Sequence, residues 1–233
     1  MSEELFISSI GDGINLNRSE IVVDNIFAYN VALNIIQDSE DLEPLSVEEC
    51  RQRSDWPKWQ EAIQSELKSL AKREVFGPVV QTPAGIKPVG HKWVFVRKRN
   101  DKNEVERYKA RLVAQGFSQQ PGVDYEETYS PVMDVITFRY LISLALRERL
   151  EIHMMDVVTA YLYGSLDNEI YMKIPEGFKM PEANSKSRDM YSIRLHRSLY
   201  GLKQSGRMWY NRFSEYLLKE GYINCVICTC IFI

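Results

Sequence analysis

The 233-residue sequence lacks the long apolar runs that membrane proteins need. A transmembrane helix takes about 20 consecutive apolar residues, and no apolar stretch of this chain approaches that length, so we expect no membrane span. The first residues, MSEELFISSIGDG, are acidic. A secretory signal has a basic segment before its apolar core, so this stretch is not predicted to be one.

Histidine and cysteine are also scarce, at three and four residues. Cys50 stands alone, and the other three cysteines share the segment CVICTC at 225–230. A zinc site needs four ligands with donors from a second place in the chain, and no other cluster of cysteine or histidine supplies them. We therefore expect reduced thiols on an apolar terminal strand of an intracellular, cytoplasmic or nuclear protein.

Charge is distributed unevenly, although the net charge is only -3. Residues 1–50 hold eleven acidic side chains and one basic one, whereas residues 86–116 hold nine basic side chains and three acidic ones. The basic stretch predicts an anion-binding surface. Residues 1–55 are acidic and lack sustained periodicity, which predicts a disordered or loosely ordered linker or extension.

Helical periodicity begins in the segment SDWPKWQEAIQSELKSLAKREVF. Apolar side chains recur there at positions 59, 63, 67 and 70, which predicts an amphipathic helix that packs on a core. Ser54 or Asp55 is expected to cap this helix, and Pro57 suits its first turn.

The basic stretch is predicted to be a β-hairpin with strands His91–Arg97 and Arg107–Ala114. The elements predicted after it are a helix over Ile136–Arg149, a short buried strand EIHMMDV, a turn or helical turn TAYLYGSLD, strands in EIYMKIPEGF and YSIRLHRSLYG, a helix RMWYNRFSEYLLKEGY and a β-prone end INCVICTCIFI. This order favours an α+β fold with a mainly antiparallel sheet and flanking helices.

Asp156 and two basic residues are the candidates for chemistry. A carboxylate at the end of a buried strand needs a charged partner or a cation, but Asp156 could equally cap a helix in VTAYL, and its surroundings leave both alternatives open. Lys109 and Arg111 are two positions apart on a predicted strand, so their side chains lie on the same face of the hairpin. Two cations on one face suit a triphosphate, and a solvated hairpin is the alternative.

Three segments occur in a specific order: HKWVFVRKRN…ERYKARLVAQGFSQQPGVDYEETYSPV, then MMDVVTAYLYGSLDNEIYMKIPEGF, then RLHRSLYGLKQSGRMWYNRF. Together they resemble the reverse transcriptase of copia-type LTR retrotransposons, which is carried in long Pol polyproteins and is abundant in plants. The resemblance covers roughly Trp56 to Ile233. It implies a right-hand polymerase of which residues 56–233 are the fingers and the first part of the palm.

The resemblance also implies roles for residues of the palm. Asp156 matches the aspartate that binds two Mg²⁺ ions in this family, which makes it the catalytic and metal-ligating residue. Tyr161 falls where an aromatic ring excludes a 2′-hydroxyl from the incoming nucleotide. Gly201 and Lys203, in SLYGLKQS, match the segment that packs on the nucleotide and the template base.

On the fingers, Lys109 and Arg111 match a basic motif thought to grip the triphosphate. The resemblance does not decide whether Lys109, Arg111 or Lys98 makes this contact. The implied partners are a dNTP and an RNA or DNA primer–template.

The family's second carboxylate motif, Tyr-x-Asp-Asp, is absent, since the sequence holds no Asp-Asp pair. Two dications repel each other and need several carboxylates. We therefore expect a reverse transcriptase domain truncated at its carboxyl end that does not polymerise by itself. The alternatives are an unstable product without a role, or a non-catalytic nucleic-acid-binding remnant that uses the basic hairpin with Trp93, Phe95 and Tyr108.

Overall fold

The computed structural model describes residues 42–180 and 188–233. The chain divides into two units, 1–44 and Leu45–Ile233, and the predicted loose ordering of the first 41 residues lies outside the described part. The second unit contains helices α1 (Val47–Gln52), α2 (Trp56–Lys72), α3 (Val135–Arg147) and α4 (Ser205–Lys219), and strands β1 (Phe76–Gln81), β2 (His91–Arg99), β3 (Val105–Ala114), β4 (Ser165–Lys173) and β5 (Tyr191–Arg197). All pairings between these strands are antiparallel, so the predicted α+β class is confirmed.

Helix α2 packs on the hairpin formed by β2 and β3, and together they build one part of the core. The helix buries Trp59, Ile63 and Leu70, as its apolar spacing predicts. The Trp59 ring meets the rings of Phe95 and Tyr108 edge to face, with centroids 5.3 and 4.6 Å apart. The predicted hairpin is confirmed, with both strands two residues longer at the turn.

The cap of α2 differs from the prediction. Asp55 occupies the N-cap position, but its side chain makes no capping hydrogen bond. Its carboxylate instead accepts a hydrogen bond from Arg97 at 3.1 Å. A buried arginine requires an anionic partner, and this requirement takes the carboxylate away from the helix end.

A second sheet has the strand order β1-β5-β4 and buries Ile170, Met172, Ile193 and Leu195. Strands β4 and β5 were predicted, but β1 was not, because Gly77 and Pro78 favoured a loop. Proline cannot donate to a strand ladder and is tolerated on edge strands. Since β1 lies at the edge of this sheet, Pro78 is compatible with it.

Helix α1 lies in a region predicted to be a solvated linker. Ser46 caps it by accepting a hydrogen bond from the backbone N–H of Glu49. Its residues Val47 and Cys50 are buried, and burial raises the pKa of the Cys50 thiol to about 11. Two apolar residues on a single helical turn are too few to form a periodic pattern in the sequence.

The predicted strand over residues 151–157 is not present. This segment has no regular structure, and Met154 and Met155 are 98% and 90% exposed. A strand needs a partner to satisfy its backbone groups, and no described strand pairs with this segment. Helix α3, which precedes it, forms as predicted and is capped by Asp134, yet none of its residues is buried.

The end of the described chain is only partly extended. Residues 223–233 were predicted to be β-prone, but they form a single antiparallel bridge between Asn224 and Phe232, with turns between them. All four cysteines are free thiols. In the described ranges, no helix is long and apolar enough to cross a membrane.

Candidate functional site

Strand β3 separates apolar from basic side chains by alternation. Ala110 and Leu112 face the core under α2, whereas Arg107, Lys109 and Arg111 project from the other face, with Lys98 of β2 paired opposite Arg107. Burial lowers the pKa of Lys109, and the neighbouring charges of Arg111, Arg107 and Lys98 lower it further. Four cationic side chains therefore share one face of the hairpin, which we call the basic face (Lys98, Arg107, Lys109, Arg111).

Three other side chains of the hairpin, Arg97, Trp93 and Phe95, are buried and are not available to a ligand. Arg97 is buried against Asp55, with its guanidinium over the Trp59 ring. Trp93 and Phe95 are each only 3% exposed. The prediction that Trp93, Phe95 and Tyr108 could stack on bases is therefore wrong for Trp93 and Phe95, because their alternation directs them into the core, and Tyr108 packs edge to face against Trp59.

Tyr200 brings together residues from three distant segments. Its ring centroid lies 6.1 Å from that of Tyr161, at a steep angle, and the Arg111 guanidinium lies over its ring at 5.8 Å. Tyr161 stands on a short 3-10 helix, Ala160–Tyr163, that the turn signal predicted. We call this group the Tyr200 cluster (Arg111, Tyr161, Tyr200).

Tyr200 itself was not among the predicted site residues. Burial raises the pKa of its hydroxyl, and the negative charge of Glu66 acts in the same direction. The phenol therefore stays protonated at neutral pH and presents a neutral ring. In the sequence, only its position next to the predicted site residue Gly201 could have pointed to Tyr200. No sequence pattern predicted that its ring lies beside Arg111.

Two backbone segments approach each other so closely at position 201 that only glycine fits there. Its φ is +87°, and a Cβ at this position would lie 2.2 Å from the carbonyl oxygen of Ala114. The backbone N–H of Ala114 donates to the carbonyl of Tyr200 at 2.7 Å. The bend after β5 is thereby joined to the end of β3, which sets the position of Tyr200 beside Arg111.

Lys203 extends an exposed side chain from a bend held by two buried glutamines. Its backbone N–H donates to Gln119 at 2.8 Å, and Gln119 donates to Gln204 at 3.1 Å. Gln204 in turn donates to the carbonyl of Asp124 at 2.8 Å. Neither glutamine was predicted, because a polar residue in a loop gives no sequence signal of burial.

Asp156 is exposed and lies in the irregular segment 151–157. It does not cap a helix, because the N-cap of the 3-10 helix is Thr159. Within the described residues Asp156 makes no hydrogen bond or ion pair, and no group of three or more histidine, cysteine or acidic side chains could hold a metal ion. One carboxylate fits a single ligand position and not a two-ion site.

Comparison with known proteins identifies relatives over most of the chain. The family model described as "Reverse transcriptase (RNA-dependent DNA polymerase)" matches residues 74–233. The Pol polyprotein from transposon TNT 1-94 of Nicotiana tabacum is 38% identical over 194 residues, which is 83% of this chain and 14% of the polyprotein. The Pol polyprotein from transposon RE2 of Arabidopsis thaliana is also 38% identical, over 76% of this chain and 12% of the polyprotein.

Relatives that match a smaller share of the chain come from yeast. The transposon Ty1-H Gag-Pol polyprotein of Saccharomyces cerevisiae is 38% identical over 133 residues, which is 55% of this chain and 6% of that polyprotein. No solved structure matches the chain. The chain thus spans about a seventh or less of the length of these relatives.

Proposed function

This chain belongs to the reverse transcriptase family of copia-type retrotransposon Pol polyproteins, and on that premise we propose that residues 56–233 bind a dNTP and a primer–template for RNA-directed DNA synthesis. In this proposal they are the fingers and the first part of the palm, and residues 1–55 are a linker. Arg111 and Lys109 bind the triphosphate, Tyr161 limits the sugar to deoxyribose, and the bend with Gly201 and Lys203 packs on the nucleotide.

The observation that carries this proposal is the Tyr200 cluster. Arg111 comes from β3, Tyr161 from the 3-10 helix after Asp156, and Tyr200 from the bend after β5, yet the side chains of Arg111 and Tyr161 both lie against the ring of Tyr200. A guanidinium is suited to phosphate oxygens, since it donates several hydrogen bonds in a fixed plane. A tyrosine ring beside it offers a surface for a sugar or a base.

Asp156 is proposed as the first carboxylate ligand of a divalent cation, with Mg²⁺ as the expected ion. A pair of dications needs several carboxylates to offset their repulsion, and the described residues provide no such group. We therefore propose that the 233-residue chain binds nucleotide and primer–template but does not extend a primer without carboxylates from elsewhere.

The experiment measures dTTP binding and primer extension by the purified chain. Arg111→Gln should weaken dTTP binding about tenfold or more, since a hydrogen bond to a charged group contributes about 1.5–3 kcal/mol. Lys219→Gln is the matched control, because it removes one positive charge from an exposed site on α4. Equal binding by wild type and Arg111→Gln would refute the nucleotide site, and template-dependent incorporation that Asp156→Asn abolishes would refute the need for further carboxylates.

The exposed basic face supports a second candidate, nucleic-acid binding without nucleotide binding. Lysine and arginine side chains that neutralise phosphates give an affinity that falls steeply with salt. A labelled RNA–DNA primer–template should then bind at low ionic strength while dTTP does not bind. Failure to bind the primer–template at low salt would remove this candidate.

A further inference from the structure

Glu66 is a partly buried carboxylate on the face of α2 that packs on β3. Its Oε1 accepts a hydrogen bond from the backbone N–H of Leu112 at 3.4 Å. Strand β3 belongs to a two-stranded sheet, so no described strand pairs with its outer edge, where a backbone N–H needs a partner. Glu66 therefore supports β3 directly next to Arg111.

The groups that face Glu66 are mostly cationic. Arg111 and Lys109 act on it from β3 and Arg73 acts from its own helix, while Tyr200 faces it from the bend after β5. The Arg73 guanidinium also lies over the Tyr163 ring at 5.6 Å. Glu66 is thus the anion among three cations at the edge of the Tyr200 cluster.

We propose that Glu66 is a positioning residue that limits the affinity of the Tyr200 cluster for polyphosphate. Its carboxylate holds the edge of β3 beside Arg111, and its negative charge offsets the charges of Arg111 and Lys109. Protonation of Glu66 therefore tightens polyphosphate binding. This inference rests on the proposed function, in which the Tyr200 cluster binds the triphosphate of a dNTP.

The expected pH dependence follows from the environment of Glu66. Burial raises its pKa, and the opposing effects of the Leu112 N–H and of Arg111, Lys109 and Arg73 do not cancel this rise. As the pH falls through this raised pKa, the carboxylate becomes neutral and its repulsion of a polyphosphate disappears. By linkage, a bound polyphosphate should raise the pKa of Glu66 further.

The test compares tripolyphosphate and dTTP binding by titration calorimetry from pH 5 to pH 8 at low ionic strength. Glu66→Gln keeps an oxygen that can accept from the Leu112 N–H but removes the charge. It should bind tripolyphosphate up to about tenfold more tightly than wild type at the upper end of the range. If ligand binding shifts the pKa of Glu66 by one unit, removal of its charge changes the affinity about tenfold. The ratio of the two affinities should fall toward one as the pH is lowered through the raised pKa of Glu66, and taking the ratio cancels the titration of the ligand itself.

Glu61→Gln is the matched control, because it makes the same charge change at an exposed position of the same helix. It should follow wild type at each pH. A Glu66→Gln to wild-type ratio that is independent of pH, or weaker binding by Glu66→Gln throughout, would overturn the inference while leaving the proposed function intact. Identical binding by wild type and Arg111→Gln would instead refute the proposed function.

A second measurement does not depend on a variant that folds. Carbon-13 NMR of the wild-type carboxyl groups gives the pKa of Glu66 with and without saturating tripolyphosphate. The inference expects the pKa to rise on binding. A Glu66 pKa that does not move while tripolyphosphate binds would overturn it.

Discussion

Arg97 differs from the other arginines of the hairpin because it is buried beneath α2. Its guanidinium donates to Asp55 at 3.1 Å and lies over the rings of Trp59 and Tyr108. The pKa of Asp55 is raised by burial, but the hydrogen bond and charge of Arg97, with the charge of Arg53, outweigh burial and lower it overall. The pair therefore joins the start of α2 to β2.

Replacement of Arg97 by methionine should destabilise the chain, because Asp55 is left mostly buried without its main partner. We expect the free energy of unfolding at pH 7 to fall by about 1–3 kcal/mol, as measured by urea denaturation, since Asp55 keeps its ion pair with Arg53. Lys92→Met, at an exposed position of the same strand, should change it by less than about 0.5 kcal/mol. Equal effects of the two substitutions would contradict a structural role for the pair.

The acid dependence of the same substitution has a definite sign. Because the pKa of Asp55 in the folded chain lies below its ordinary value of 3.8, its contribution is present above about pH 4. It is lost as the pH falls through the lowered folded pKa. The difference in stability between wild type and Arg97→Met should therefore shrink in strong acid.

At the scale of elements, the contact between the bend after β5 and the end of β3 decides how the candidate site is assembled. Gly201 places its backbone against Ala114, and Gly116 likewise approaches the Gly201 carbonyl, where a Cβ would lie 2.1 Å from the oxygen. The two buried glutamines, Gln119 and Gln204, connect the same two segments. This contact therefore joins the segment that carries Tyr200 to the strand that carries Arg111.

Gly201→Ala should therefore be far more damaging than the same change at Gly85. Both glycines have positive φ, at +87° and +82°, so alanine is strained at either position by about 1–2 kcal/mol. Of these two glycines, Gly201 adds a collision with backbone, whereas no atom of the described residues lies within 4 Å of a Cβ at Gly85. Urea denaturation should show a larger loss of stability for Gly201→Ala, and a loss equal to that of Gly85→Ala would contradict the close approach.

At the scale of the whole unit, apolar side chains are exposed over α3 and the segment after it. Phe138 is half exposed, and Met154, Met155 and Val158 are largely exposed. So many exposed large apolar side chains in consecutive segments are uncommon in isolated globular proteins. In contrast, the β1-β5-β4 sheet and the hairpin with α2 enclose a shared core.

The double substitution of Met154 and Met155 by lysine should leave the stability of the 233-residue chain nearly unchanged. Both side chains are already in solvent, so their replacement should alter the free energy of unfolding by less than about 0.5 kcal/mol. Binding of the dye ANS, which reports exposed apolar surface, should fall. Met172→Lys is the contrasting control, because Met172 is fully buried and an unpaired charge there should unfold the chain. A large loss of stability from the double substitution would show that residues 154 and 155 are packed.

Local sequence pattern was sufficient to predict those elements in which the spacing of apolar residues corresponds to a single buried face. Helix α2 and strands β2 and β3 were predicted because each has one face on the core, and the alternation of β3 also placed Lys109 and Arg111 on its open face. The order of three long motifs identified the family, which no composition or periodicity could do. The proposed roles of Asp156, Lys109, Arg111, Tyr161, Gly201 and Lys203 stay predictions from that resemblance.

The tertiary structure decided what depends on partners distant in the sequence. Residues 151–157 have a strand's composition but no strand beside them in the described chain, while β1 forms despite its proline because it needs a partner on one edge only. Whether Arg97 is free or buried, and whether Tyr200 meets Arg111, depends on which segments pack together. The sequence by itself determined the family, the hairpin and its basic face; tertiary packing decided which of the polar side chains are enclosed and which stay open to a ligand, because burial is a property of the assembled chain.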